Sequence, residues 1–130
     1  MRRRTILVAD GDRLTRDALR LRLEAAGFVV RCAGEWHVVL EVVQREHPDL
    51  LVLDIGMAAG DGLRVRQCLR RALESSRIPV IHLAAETPDP GDRSAIDDGV
   101  HCVLHKPFRG IELVEECRSA LGSWRSADAG

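Results

Sequence analysis

Polar residues divide this chain into short apolar runs and longer amphipathic stretches that alternate five times. Thr5 to Ala9 is an apolar run closed by Asp10. From Asp12 to Ala26, Leu14, Ala18, Leu21 and Ala25 recur at helical spacing with arginines between them, and Gly27 suits the position just past a helix end. Phe28 to Ala33 predicts a second strand. Glu35 to Glu46 predicts a second helix with Val39, Val42 and Val43 on one side, stopped before Pro48. Leu50, Leu51, Val52 and Leu53 then stand in a row, ended at once by Asp54. Such a run suits a strand buried on both faces, as in a parallel sheet.

Beyond a Gly-rich loop, Asp61 is a good N-cap for a third helix to about Glu74. Ile78 to Leu83 predicts a fourth strand, with Pro79 near its start, where a missing N–H is tolerated. Pro88, Pro90 and Gly91 oppose helix in the next stretch, so only Asp92 to Asp98 can be helical. Val100 to Leu104 predicts a fifth strand. Gly110 to Leu121 predicts a last helix, with Ile111, Val114, Cys117 and Leu121 inward. Residues 1–122 therefore read as one domain, and 123–130 as a tail or the start of a linker. Alternation of this kind predicts an α/β fold: a five-stranded parallel sheet with helices on both faces, in the common order 2-1-3-4-5.

Composition adds bounds rather than a function. A chain of 130 residues with 19 basic and 20 acidic side chains has little net charge, which predicts binding to neither nucleic acid nor membrane by this segment. The basic start is followed by an apolar run too short for a signal peptide, and no stretch is long enough to span a bilayer. Four scattered cysteines without a Cys-x-x-Cys spacing fit a reduced, cytoplasmic protein. Arginine is abundant, but Lys106 is the only lysine, which singles it out as a compact, flexible ammonium.

The order 2-1-3-4-5 makes the ends of strands 1 and 3 meet at the switch point, where ligands of open α/β sheets bind. Asp10 and Asp54 then face each other, and Lys106 follows strand 5 to the same end. Two carboxylates suit a hard cation such as Mg²⁺. A carboxylate is also a competent nucleophile toward phosphoryl groups, and phosphoryl transfer needs mainly positioning and charge stabilisation.

Three motifs in order carry a resemblance: the acidic turn Asp10-Gly11-Asp12, the loop Asp54-Ile55-Gly56-Met57 with Asp61-Gly62-Leu63 beyond it, and Lys106-Pro107-Phe108. Over nearly its whole length the chain resembles the receiver domain of two-component response regulators, a flavodoxin-like, three-layer α/β/α fold. The resemblance implies that Asp54 accepts a phosphoryl group from a histidine kinase or phosphotransfer protein, giving an aspartyl phosphate. It implies Mg²⁺ held by Asp10, Asp54 and the backbone carbonyl of Gly56, and a contact from Lys106 to the phosphoryl. It implies a cis bond between Lys106 and Pro107. Asp12 suits the N-cap of the first helix better than metal binding, and is the further candidate metal ligand.

Departures from the family pattern are informative. The second acid after strand 1 is replaced by Gly11, the hydroxyl residue after strand 4 by Ala84, and the strand 5 aromatic by Val103. Weak metal binding and weak switching are expected of such an atypical receiver. Its partners would be the kinase, and an output domain or second copy on the face made by Asp92–Asp98, strand 5 and the last helix. It would be a signalling domain rather than an enzyme, at most catalysing its own phosphorylation and dephosphorylation.

Other functions compete. The same departures fit a pseudo-receiver that binds partners without being phosphorylated. Asp10-Gly11-Asp12 also satisfies the Asp-x-Asp of haloacid dehalogenase-type phosphatases, but the acids that family needs near a later strand end are misplaced. A flavin binder would need a phosphate-cradling first turn, and this one is acidic. A zinc site from His101, Cys102 and His105 is disfavoured by strand alternation, and His82 reads as a core residue.

Overall fold

A computed structural model describes residues 3–54, 57, 62–84 and 100–129. The described elements are β1 (Thr5–Ala9), α1 (Arg13–Ala25), β2 (Val29–Ala33), α2 (Trp36–Glu46), β3 (Leu50–Asp54), α3 (Gly62–Ser76), β4 (Val80–Ala84), β5 (Val100–His105) and α4 (Gly110–Ala129). The strands form one sheet in the order β2-β1-β3-β4-β5, all pairs parallel. The expected Asp61 cap and the Asp92–Asp98 segment lie outside the described residues.

Strand alternation explains why the runs are apolar at every position. Ile6, Val8, Leu50, Val52, Ile81 and Leu83 point to one face, where Leu19 and Leu23 of α1 and Leu113, Val114 and Cys117 of α4 cover them. Leu7, Ala9, Leu51, Leu53 and Val80 point to the other, against Trp36, Val39 and Val43 of α2 and Leu69 and Leu73 of α3. The inner strands β1, β3 and β4 thus serve two cores, and a polar side chain at either phase would lie in one of them, whereas the edge strands β2 and β5 leave Arg31 and Val103 exposed. His82 is the exception within β4 and is buried.

Helix ends follow local chemistry. Asp12 caps α1. At the other end Gly27, with φ 99°, lets Gly27 N–H donate to Glu24 and Phe28 N–H to Leu23, closing the helix with a left-handed residue. The end of α3 repeats this with Ile78 N–H donating to Leu73 and Arg77 N–H to Glu74, but the left-handed residue is Arg77, φ 55°, where glycine is usual.

Three expectations need correction. Leu14, Ala18, Leu21 and Ala25 do not face the core: all four are exposed, Leu14 at 79% and Leu21 at 59%. Leu19 and Leu23, on a neighbouring stripe, are the pair the sheet covers. Ile111 is 41% exposed because it lies in the first turn of α4, ahead of the point where that helix settles on the sheet at Leu113 and Val114. The last helix runs on to Ala129 rather than ending at Leu121.

Candidate functional site

Parallel strands all end on the same edge, and that edge gathers the chemistry. Asp10 follows β1, Asp54 is the last residue of β3, and Lys106 follows β5. The turn after β5 is pinned by Lys106 N–H, which donates to the carbonyl of Ala84 at 2.9 Å, and the Lys106–Pro107 bond is cis. From there the ammonium reaches both carboxylates: Nζ lies 3.4 Å from Asp54 Oδ2 and 3.6 Å from Asp10 Oδ2. At an effective dielectric near 20, a contact of that length is worth up to about 5 kcal/mol. Solvent screening lowers this, because the Lys106 side chain is 36% exposed.

Asp10 is only 1% exposed, and almost every polar group it owns is committed. Its N–H donates to the carbonyl of Ala33 at 3.1 Å. Its carbonyl accepts from Arg16 Nη1 at 2.8 Å, and its Oδ1 accepts from the N–H of Asp12 at 2.9 Å. Oδ2 is buried without a hydrogen-bond partner, and its contact with Lys106 is an ion pair at a longer reach. Burial raises the Asp10 carboxyl above its ordinary value, and the Asp54 charge adds to the rise. The Asp12 N–H and the Lys106 ammonium oppose it.

Asp12 is turned elsewhere. Its Oδ2 accepts from the N–H of Thr15 at 3.1 Å and from the Thr15 hydroxyl. These bonds hold its carboxyl below the ordinary value. It is the helix cap, and among the described residues no cluster of three or more His, Cys, Asp or Glu side chains converges on a metal-sized space. Gly56, the expected carbonyl ligand, lies outside the described residues. The acidic pair itself fits a hard divalent cation: a buried carboxylate oxygen without a hydrogen bond, beside a second carboxylate, is an oxygen donor of the kind Mg²⁺ takes.

The three atypical positions are all in view. A Cβ built on Gly11 would stand 3.6 Å from Met57 Cγ, an ordinary contact. Met57, itself buried, packs beside the acidic turn, a contact not legible in its sequence position. Ala84 is buried at the end of β4 and offers the site only its backbone carbonyl. Val103 is 45% exposed on β5. Arg16, one of many arginines in α1, was also invisible as a site neighbour. No periodicity marks a helical arginine whose guanidinium returns to the preceding strand end.

An acidic pair at the switch point of a 2-1-3-4-5 sheet, bridged by a lysine from the turn after the last strand, defines a receiver of two-component signalling. Residues 6–118 match the response regulator receiver domain, and the chain belongs to that family. It is 36% identical over 124 residues to the response regulator MprA of Mycobacterium leprae, covering 95% of this chain and 54% of the relative. It thus spans about half the length of that relative. It is 35% identical over 109 residues to an uncharacterised 14.6 kDa protein of Leptolyngbya boryana, covering 84% of this chain and 83% of that one. Among solved structures, a CheY-like receiver domain protein from Methanospirillum hungatei superposes with a TM-score of 0.83 at 19% identity, over 97% of this chain and 99% of that one. The N-terminal domain of a response regulator from Carboxydothermus hydrogenoformans does so with a TM-score of 0.80 at 20% identity, over 95% and 98%. At such identities these two likenesses show the fold alone. No helix among the described residues is long and apolar enough to cross a membrane.

Proposed function

We propose that residues 1–122 act as a phosphoacceptor domain, with Asp54 taking a phosphoryl group from a histidine kinase or phosphotransfer protein. The observation that carries this is the single ammonium of Lys106 spanning Asp54 and Asp10 at 3.4 and 3.6 Å. An Asp54 oxygen forms the new P–O bond as the P–N bond of the donor phosphohistidine breaks. Water later attacks the phosphorus and returns the carboxylate and inorganic phosphate. Lys106 is placed to follow the phosphoryl oxygens, exchanging a carboxylate contact for a phosphoryl one.

Asp10, Asp54 and the Gly56 carbonyl are the residues that would hold Mg²⁺. When bound, the ion neutralises charge on the transferring group. With Gly11 in place of a second acid, and Asp12 committed to Thr15, the carboxylates available number two, and binding is correspondingly weak. The protein's part in this is signalling, with turnover limited to its own phosphorylation and dephosphorylation. Residues 123–130 would lead toward an output domain or partner, and β5 with α4 would form part of the face that meets it.

A pseudo-receiver that works without phosphorylation is favoured by one observation: Ala84 presents no hydroxyl to the site. Incubation with acetyl phosphate and Mg²⁺ followed by intact mass measurement separates the two. A phosphoryl adduct in wild type that is absent in Asp54→Asn supports the acceptor. An equal adduct in both, or none in either, overturns it.

A further inference from the structure

Three of the four hydrogen-bonding points of Asp10 are locked, and only one of the three locks comes from a distant side chain. Ala33 and Asp12 hold it through their backbones, whereas Arg16 reaches back from α1 to take the Asp10 carbonyl at 2.8 Å. With the carbonyl fixed, rotation of the peptide after Asp10 is blocked, and the Asp12 N–H stays aimed at Oδ1. Oδ2 is then left with one direction, toward Lys106 and Asp54. The guanidinium holds this pose because of a residue on another loop. A Cβ on Gly34 would stand 2.5 Å from Arg16 Nη1 and 3.1 Å from Cζ, so any side chain there takes its seat.

We propose that Arg16 is a positioning residue for the acidic site, seated by the missing side chain of Gly34, and that the pair together aims the Asp10 carboxylate at the cation and phosphoryl position. The inference rests on the reading that Asp10 and Asp54 hold Mg²⁺ beside the acceptor. It assigns a role in that site to two residues, one in α1 and one in the β2–α2 loop, that touch neither cation nor phosphoryl.

The geometry makes an unusual demand on mutants. Arg16→Ala removes the guanidinium. Gly34→Ala keeps it but evicts it, and the eviction is inexpensive because the atoms that must move are the far end of a flexible side chain. The two variants should therefore share one phenotype, and the double variant should be no worse than either single one. A purely long-range effect of the positive charge would instead spare Gly34→Ala.

The test measures three things in wild type, Arg16→Ala, Gly34→Ala and the double variant. Hydrogen exchange at the Asp12 amide, without Mg²⁺, reports the turn directly. Calorimetry gives the Mg²⁺ dissociation constant. The rate of adduct formation from acetyl phosphate is followed against Mg²⁺ concentration. The expected result is faster exchange at Asp12 and a dissociation constant weakened about tenfold, the scale of one lost hydrogen bond from a charged donor. The same values should appear in all three variants, and the adduct rate should recover at saturating Mg²⁺. Wild-type behaviour in Arg16→Ala, wild-type behaviour in Gly34→Ala, or summed losses in the double variant would each overturn the proposal. Should Arg16→Ala fail to fold, Gly34→Ala decides alone. If the wild-type protein takes neither Mg²⁺ nor phosphoryl, the functional reading fails by itself, while exchange at Asp12 still decides whether Arg16 and Gly34 hold the turn.

Discussion

Replacing Gly11 with aspartate would add a third carboxylate to the site and should push two measurable quantities in opposite directions. The backbone permits the change. Gly11 does not occupy the left-handed region, and the new Cβ would meet Met57 Cγ at 3.6 Å, within ordinary contact. A divalent ion about 5 Å from the added charge is attracted by roughly 2 kcal/mol in water and by roughly 7 kcal/mol at an effective dielectric of 20. The turn is open to solvent, so the lower figure governs, and desolvation takes a further share. A gain of about 1–1.4 kcal/mol, or roughly five- to tenfold in Mg²⁺ affinity, is the expected result. Without the ion, the same charge sits near Asp10 and Asp54 and adds a third negative charge to an edge where Lys106 and Arg16 already offset two, so the apo protein should melt earlier. Calorimetric titration measures the first effect, and thermal unfolding with and without Mg²⁺ measures both. At ten times the dissociation constant the ion should return about 1.4 kcal/mol of stability. Unchanged affinity in Gly11→Asp would refute the argument, because Asp12 is held by Thr15 and is not available as a hidden third ligand.

Further outcomes follow from other parts of the molecule. The Asp10 carboxyl is raised by burial, so it binds its proton more tightly folded than unfolded. The stability this lends is complete below the ordinary carboxyl value of 3.8 and lost as pH climbs through the raised one. Asp10→Asn should therefore be more stable than wild type at pH 7, with a flatter profile of melting temperature against pH; a less stable variant contradicts the sign. Arg77→Gly relieves a left-handed non-glycine residue and should stabilise by about 0.5–1 kcal/mol in denaturant unfolding, with destabilisation counting against it. Beryllofluoride, a phosphoryl mimic, should shift amide resonances near Asp54 far more than those of β5 from Val100 to His105. Ala84 lacks the hydroxyl, and Val103 the aromatic ring, that would carry the change there. Comparable shifts at both places would show that the domain switches by another route.

The sheet was legible because its inner strands have to feed two cores. That requirement wrote Ile6 to Ala9 and Leu50 to Leu53 as unbroken apolar runs, each ending at the acid that matters. The wrong face of α1 was equally inevitable from pattern alone. The helix carries one apolar stripe through Leu14, Ala18, Leu21 and Ala25 and another through Leu19 and Leu23, and spacing cannot rank them. What ranks them is the sheet: Leu19 and Leu23 stand over Ile6 and Val8. Lys106 stood out by being solitary, whereas Arg16 was lost among its kind. Its distinguishing partners are a backbone carbonyl and an absent side chain, neither of which leaves a mark in a sequence.

The site's order of assembly has a consequence during synthesis. Lys106 lies 52 residues beyond Asp54, and Asp10 comes earlier still. At roughly 5–20 residues per second, the two acids leave the ribosome roughly 3–10 s before the ammonium that neutralises them. Through that interval the nascent chain can pair β1 with β3 only by bringing like charges together, so counterions must screen the edge until β5 arrives. The last strand thus locks the domain electrostatically as well as by packing. A chain truncated before it would lose the cover that α4 gives Ile81 and Leu83 and would also carry an uncompensated acidic edge, whose repulsion added salt or divalent ions should relieve.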